Sequence, residues 1–109
     1  MKTLGILGGG QLGRMLALSA IPLGVRCRFL VPKEDAALHD FGCRYAQGDA
    51  EDILRFTRGM TAATTEIETI DPAIFLQVMQ HAPLWPTPVA LDLKRDRRRE
   101  REHLTALGL

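Results

Sequence analysis

Hydrophobic residues change their spacing repeatedly along the chain, from short continuous runs to the intervals of amphipathic helices. The short apolar or β-branched runs predict strands at 4–7, 25–31, 43–47, 61–67 and 84–86. The helical intervals predict helices at 11–23, 36–41, 50–58, from 71 onward and at 88–93. Strands and helices that alternate in this way indicate an α/β domain, with a parallel sheet of about five strands and helices on both faces.

Residues typical of helix ends separate these elements. Gly24 follows the first helix as a C-cap, and Pro22 just before it is expected to bend or shorten that helix. Asp49 and Asp71 precede two later helices as N-caps, and Pro72 enters the first turn of the second. The hydrophobic residues expected on the buried sides of these two helices are Ile53, Leu54, Phe56, Ile74, Phe75, Val78 and Met79.

Three glycines mark the turn between the first strand and the first helix. Gly8, Gly10 and Gly13 have the G-x-G-x-x-G spacing. In that pattern the first glycine permits a tight turn, the second lets a phosphate approach the backbone, and the third lets helix and strand pack closely. The helix N-terminus adds unpaired N–H groups and the positive end of its dipole. The turn therefore indicates a ligand of the size of a nucleotide or a sugar phosphate, without indicating which one.

The residues after the second strand disfavour a dinucleotide as that ligand. A unit that binds NAD places an acidic residue about 20 residues beyond the glycines, where it accepts from the ribose hydroxyls. Residues 28–32 contain no acid, and Glu34 and Asp35 fall in the predicted loop beyond them. A nicotinamide- or flavin-dependent oxidoreductase is thus less favoured but stays an alternative, beside a standalone module that binds a sugar phosphate.

Two carboxylates and one amide lie where predicted strands end. Glu66 and Glu68 end the fourth strand, and Gln11 follows the glycine turn at the end of the first. Ligands of open parallel sheets bind outside the carboxyl ends of the strands, so these side chains are expected at one edge of the sheet. Glu66 is interpreted either as a ligand contact or as a solvated carboxylate, and Glu68 as a cap or an ion-pair partner.

Composition adds few constraints. The 109 residues suffice for one domain, and a net charge of +1 with 46% hydrophobic residues predicts neither a nucleic-acid nor a membrane partner. No signal peptide or membrane-spanning run is recognised, so a cytoplasmic location is expected. Cys27 and Cys43 are interpreted as reduced thiols, with Cys27 in the core. The histidines at 39, 81 and 103 have no metal-ligand spacing.

The C-terminal part of the sequence carries a concentrated charge. Residues 94–102 include six basic and three acidic side chains. Acids interrupt the basic run, which favours a solvated helix over a nucleic-acid patch. Opposite charges three or four residues apart are expected to pair: Asp96 with Arg99, Arg97 with Glu100, and Arg98 with Glu102. The leucines at 104, 107 and 109 then end the sequence abruptly, which suggests the beginning of a further domain.

Several strings, in order along the whole chain, resemble one family. They are residues 6–18 around G-G-G-Q-L-G-R-M, 22–24, 48–49, 66–68, 86–88, 96–97, 104 and 107–109. They resemble the 5-(carboxyamino)imidazole ribonucleotide synthases, the ATPase subunits of phosphoribosylaminoimidazole carboxylase in the ATP-grasp superfamily. The resemblance implies that residues 1–109 form a Rossmann-like pre-ATP-grasp domain, similar to the N-terminal domain of biotin carboxylase. It also implies that the ATP-grasp domains expected to follow are absent from this sequence.

The resemblance implies a reaction as well. In the family, ATP activates bicarbonate as carboxyphosphate, and the exocyclic amine of 5-aminoimidazole ribonucleotide is then carboxylated, in de novo purine biosynthesis. ATP and Mg²⁺ would bind the full-length enzyme through ligands that lie mostly outside this chain. The full-length enzyme would be a homodimer, and this chain alone would be inactive.

The resemblance implies roles for individual residues too. The glycine turn and Glu66 would contact the ribonucleotide rather than ATP. Gly10, Gln11 and Leu12 would lie on its phosphoribosyl side, and Glu66 would accept from its ribose or its amine. Arg97 would lie against the phosphates of ATP, and no catalytic residue or metal ligand is assigned.

Two positions depart from the family pattern. Residues 65–68 read T-E-I-E where bacterial members often have Y-E-F-E, and Arg101 stands where a basic residue is often a lysine. Both departures leave the resemblance intact and concern the surroundings of Glu66 and Arg97.

Overall fold

The computed structural model describes residues 2–32, 44–66 and 70–109, which form one parallel sheet flanked by helices. In chain order its elements are β1 (Lys2–Leu7), α1 (Gln11–Ala20), a 3₁₀ turn (Ile21–Leu23), β2 (Val25–Val31), β3 (Arg44–Ala46), α2 (Ala50–Thr57), β4 (Ala62–Thr65), α3 (Pro72–Met79), β5 (Leu84–Trp85), α4 (Pro88–Arg95) and α5 (Arg97–Ala106). The strand order is β3-β2-β1-β4-β5, and all neighbouring strands are parallel. The predicted five-stranded α/β architecture is confirmed.

Side chains of the central strands alternate between two apolar layers. Ile6 and Phe29 pack with Ala17 of α1 on one face, whereas Leu7 and Leu30 belong to the core on the other face, with residues of α2 and α3. Ile6 is paired with Phe29 and Leu7 with Leu30, so the alternation of β1 and β2 is in register. A parallel strand covered on both faces must be apolar on both sides, which explains the continuous apolar run at the end of β1.

Helix α1 packs on the sheet through its small residues. Gly13, Ala17 and Ala20 are buried. The large apolar side chains that α1 leaves exposed are Leu12, Met15, Leu16 and Leu18. The helix ends at Ala20, and a 3₁₀ turn with Pro22 leads to Gly24, whose φ of +72° closes it. The shortening near Pro22 and the C-cap at Gly24 are confirmed.

Both predicted N-caps are present. The Asp49 carboxylate accepts from the N–H groups of Glu51 and Asp52 at 2.9 and 3.2 Å, and the Asp71 carboxylate accepts from that of Ala73 at 2.9 Å. The first turn of a helix cannot supply these partners itself, so each carboxylate stabilises the start of its helix.

Two residues predicted on the buried sides of α2 and α3 are exposed instead. The residues buried as predicted are Ile53, Phe56, Phe75 and Val78, with Ile74 half-buried. Leu54 and Met79 are 55% and 43% exposed. Each directly follows a buried residue, and one step along a helix rotates the side chain by about 100°, away from the core.

The charged C-terminal segment forms two helices rather than one. The extended backbone of Asp96 (φ −118°, ψ 107°) separates α4 from α5 and serves as the N-cap of α5. The predicted contact of Arg98 with Glu102 is present at 3.2 Å. The predicted pair of Asp96 with Arg99 is wrong. The Asp96 carboxylate accepts from backbone N–H groups, and Arg99 pairs with Asp92 at 3.0 Å.

Some predictions fall outside the described residues. They are the helix at 36–41, the first residue of the strand predicted at 43–47 and the last residue of the strand predicted at 61–67. The side chains of Glu34, Asp35, His39, Cys43 and Glu68 lie outside the described residues as well. Among the helices that are described, none is long and apolar enough to cross a membrane.

Candidate functional site

Glu66 lies beside the glycine turn because of the register between β1 and β4. Leu7 is paired with Thr65, and one residue further along the N–H of Glu66 donates to the Leu7 carbonyl at 3.1 Å. The Thr65 hydroxyl donates to the same carbonyl at 3.3 Å. These bonds hold the half-buried Glu66 at the point where β1 ends and the turn begins.

The Glu66 carboxylate binds both ends of the first turn of α1. One oxygen accepts from the N–H of Gly10 and the other from the N–H of Gly13. Gly10 is the N-cap of α1 and Gly13 its third residue. A capping box satisfies these two N–H groups with side chains of the same two positions. Because neither glycine has a side chain, a carboxylate from the neighbouring strand satisfies both and complements the helix dipole.

All three glycines of the turn face this carboxylate. A Cβ atom on Gly8 would lie 2.6 Å from Glu66 Cγ, one on Gly10 would lie 3.2 Å from Oε1, and one on Gly13 would lie 3.0 Å from Oε2. Gly8 also has a φ of +113°, which residues with a side chain rarely adopt. The spacing that predicted a bound phosphate therefore accommodates an internal carboxylate in this chain.

The contact corrects one expectation about the turn. Its N–H groups were expected to meet the anionic part of a ligand, but those of Gly10 and Gly13 are bonded to Glu66. The N–H of Gly8 donates to the Leu30 carbonyl at 2.8 Å. The sequence placed Glu66 at the same edge without revealing that β4 is the neighbour of β1. In the sequence, the contact corresponds to an acidic residue directly after Thr65, the residue that pairs with Leu7.

A groove opens beside Glu66, with a volume of about 450 Å³. It is lined by Leu12, Met15, Leu16, Ser19, Thr65 and Glu66. Gln11, the first residue of α1, is exposed next to it. The structure thus brings Gly10, Gln11, Leu12 and Glu66 to one edge of the sheet, where an apolar wall meets the Glu66 carboxylate.

Arg97 lies apart from this edge, at the start of α5. It lines a second groove of about 510 Å³, together with Lys94, Glu100, Arg101 and Leu104. In the described part of the chain Arg97 and Glu100 form no ion pair, contrary to the prediction. The two grooves share no lining residue. The lining of the second groove contains three basic side chains and the acidic side chain of Glu100, a combination that suits an anionic ligand.

Arg28 is committed to α2 rather than to a ligand. Its guanidinium donates to the carbonyl oxygen of Phe56 at 3.1 Å and also to those of Arg55 and Arg58. A cation at this place complements the C-terminal end of the α2 dipole. An oxidoreductase of this fold uses the region after the second strand for the ribose or its 2′-phosphate, and Arg28 does not serve that purpose here.

We expect no saturable binding of NADH to this chain at micromolar concentrations. Glu66 occupies the N–H groups of Gly10 and Gly13 that would hold a pyrophosphate, and Arg28 is engaged with α2. A titration followed by nucleotide fluorescence and by calorimetry measures this directly. A micromolar Kd would make the oxidoreductase the leading interpretation.

Cys27 and the candidate metal ligands are the other reactive groups among the described residues. Cys27 is half-buried against the core on the α1 face, as its predicted place in a strand suggested. Burial raises the pKa of the Cys27 thiol, because a thiolate loses solvation there. Within residues 2–32, 44–66 and 70–109, no three His, Cys, Asp or Glu side chains are grouped so that they could hold a metal ion.

Comparison with known protein families gives a match over most of the chain. Residues 1–95 match the model of the ribonucleotide synthetase preATP-grasp domain. The chain is 35% identical to N5-carboxyaminoimidazole ribonucleotide synthase from Pseudomonas aeruginosa, over 97% of the chain and 30% of the relative. It is 32% identical to phosphoribosylaminoimidazole carboxylase from Schizosaccharomyces pombe, over 94% of the chain and 19% of the relative.

Solved structures of proteins from the same family superpose on this chain. The N5-carboxyaminoimidazole ribonucleotide synthetase from Thermus thermophilus superposes with a TM-score of 0.87 at 39% identity, covering 97% of this chain and 30% of that one. The synthase from Aspergillus clavatus, in complex with ADP and 5-aminoimidazole ribonucleotide, superposes with a TM-score of 0.79 at 28% identity, covering 99% and 30%. The chain thus spans about a third or less of the length of these proteins.

Proposed function

Because the chain belongs to the ribonucleotide synthetase preATP-grasp domain family, we propose that residues 1–109 are the pre-ATP-grasp domain of an ATP-dependent ligase. The ligase carboxylates 5-aminoimidazole ribonucleotide with bicarbonate to 5-(carboxyamino)imidazole ribonucleotide, in de novo purine biosynthesis. The observation that carries the proposal is the meeting of Glu66 with the glycine turn, beside a groove, at the edge where parallel sheets bind ligands.

The groove beside Glu66 is the proposed ribonucleotide site. A carboxylate offers about four acceptor positions, and the two bonds to the turn leave others for a hydroxyl or an amine of the substrate. The walls formed by Leu12, Met15 and Leu16 suit the apolar face of a small ring. The N–H groups of Gln11 and Leu12, between Gly10 and Gly13, have no partner among the described residues and can donate to substrate oxygens.

The groove at Arg97 is the proposed contact with ATP. Lys94 and Arg101 add two further cations there, which suits the phosphates of a nucleotide. Mg²⁺ would be held mainly by carboxylates outside this chain and would neutralise phosphate charge during the transfer. ATP, Mg²⁺, bicarbonate and a homodimeric assembly of the complete enzyme belong to this proposal.

Glu66→Ala is expected to weaken use of the ribonucleotide selectively. The chain can be tested in an enzyme in which it replaces the matching N-terminal region of the Thermus thermophilus relative, which is similar throughout. Loss of the carboxylate leaves substrate donors unpaired, at a cost of about 1–3 kcal/mol, or roughly ten- to a hundredfold in KM for 5-aminoimidazole ribonucleotide. The KM for ATP should hardly change. Steady-state phosphate release, with each substrate varied in turn, measures both.

Matched variants separate this effect from damage to the fold. Glu51→Ala removes an exposed carboxylate of α2 and should leave both KM values unchanged. A melting curve for each variant reports on folding. The 109-residue chain alone should release no phosphate. A Glu66→Ala enzyme with a raised KM for ATP and an unchanged KM for the ribonucleotide would refute the assignment of this edge.

A further inference from the structure

We infer that Glu66 is the resident anion of the glycine turn and excludes phosphate groups from the N–H groups of Gly10 and Gly13. Glu66 thereby acts in specificity: the turn keeps the glycine spacing of a phosphate site, but the chain itself supplies the anion.

The hydrogen-bonding capacity of the turn is the first support. Phosphate-binding turns direct free N–H groups and the helix dipole at their ligand. Here the N–H groups of Gly10 and Gly13 donate hydrogen bonds to the two carboxylate oxygens of Glu66. The N–H group of Gly8 donates to the carbonyl oxygen of Leu30. A phosphate that took the same place would have to displace a carboxylate that already satisfies both ends of the first turn.

The space around the turn is the second support. Ideal Cβ atoms on Gly8, Gly10 and Gly13 would each lie within 3.2 Å of an atom of the Glu66 side chain. The volume that the glycines leave open is therefore already filled by Glu66. A phosphate group has no room beside it at these N–H groups, and its negative charge would be repelled by the carboxylate.

The anchoring of Glu66 is the third support. Its backbone N–H is bonded to the Leu7 carbonyl at 3.1 Å, and Thr65 is bonded to the same carbonyl through its hydroxyl. The Glu66 side chain is half-buried. If it turned away from the glycine turn, its carboxylate would lose two charge-assisted hydrogen bonds. The consequence is that this edge accepts ligands through donor groups, a hydroxyl or an amine, rather than through a phosphate on Gly10 and Gly13.

A titration with inorganic phosphate, followed by the amide NMR resonances of Gly10 and Gly13, tests the inference on the 109-residue chain. The unchanged chain should show no saturable shift of these two resonances. Glu66→Ala opens the turn and should bind phosphate at least about tenfold more tightly, with both resonances shifting together. Glu51→Ala loses the same charge from an exposed pair with Arg55 and should behave like the unchanged chain.

Two outcomes would overturn the inference. One is a saturable phosphate shift of Gly10 and Gly13 in the unchanged chain, and the other is equal phosphate affinity with and without Glu66. If Glu66→Ala does not fold, Glu66→Gln is tested instead. It keeps the shape of the side chain, but its NH₂ group cannot accept a hydrogen bond from the second N–H of the turn. Amide exchange of Gly10 or Gly13 should then accelerate about tenfold or more relative to Glu51→Gln. Unchanged exchange would equally refute the role of the carboxylate.

Discussion

Replacing Gly8 by alanine is expected to destabilise the fold by about 2–5 kcal/mol, because backbone strain and steric overlap act at the same atom. The φ of Gly8 is +113°, and an added Cβ would lie 2.6 Å from Cγ of Glu66. The backbone at Gly8 cannot relax easily, because its N–H donates to the Leu30 carbonyl. The Glu66 side chain cannot move away easily, because the glycine turn holds its carboxylate. Urea unfolding, monitored by circular dichroism, measures the loss.

Gly48→Ala is the matched control for this prediction. Gly48 is exposed in a turn, and a Cβ there would meet no atom within 4 Å, so its free energy of unfolding should change by less than about 1 kcal/mol. In a Glu66→Ala background, Gly8→Ala should cost less than it does alone, because the atom it collides with is gone. Equal costs for Gly8→Ala and Gly48→Ala would contradict the interpretation of the turn.

Replacing Phe56 by alanine is expected to cost about 3–5 kcal/mol, since it removes a fully buried ring and leaves a cavity. Phe56 belongs to the core on the α2 and α3 side of the sheet, and its ring meets that of Tyr45 edge-on at 6.1 Å between centroids. A loss of this size is a large part of the roughly 5–15 kcal/mol that stabilises a domain. The measurement is again urea unfolding, with the slope m compared between variants.

Leu54→Ala provides the control on the same helix. Leu54 is 55% exposed, two positions before Phe56, and its truncation should cost less than about 1 kcal/mol. If Leu54→Ala cost as much as Phe56→Ala, then α2 would face the sheet differently from the arrangement described above.

The glycine turn shows how a sequence motif can specify a space without specifying what fills it. The spacing of Gly8, Gly10 and Gly13 requires that something approach the backbone closely at the end of β1. In a dinucleotide-binding domain that partner is a pyrophosphate, and in this chain it is Glu66. The missing acid after the second strand already argued against a dinucleotide, and the carboxylate in the turn supplies a physical reason of its own.

Features that depend on neighbouring residues were predictable from the sequence. The bounds of β2, the N-caps at Asp49 and Asp71 and the C-cap at Gly24 appear as predicted. Each depends on backbone preferences or on hydrogen bonds that span a few residues, so a local pattern contains the information. The five parallel strands follow in the same way from the alternation of strand and helix.

Features that depend on which element lies beside which were decided by the tertiary structure alone. Leu54 is exposed, and α1 packs through Gly13 and Ala17 rather than through its large side chains, because the sheet determines which face of a helix is covered. Glu66 reaches the turn because β4 pairs with β1, an adjacency that no local pattern encodes. The sequence by itself thus determined most of the described elements, the family resemblance and the edge of the sheet where Glu66 lies. The tertiary structure decided that two residues more than fifty positions apart, Gly10 and Glu66, are joined by a hydrogen bond. The physical reason is that strand pairing is a long-range contact, whose partners depend on the packing of the whole sheet.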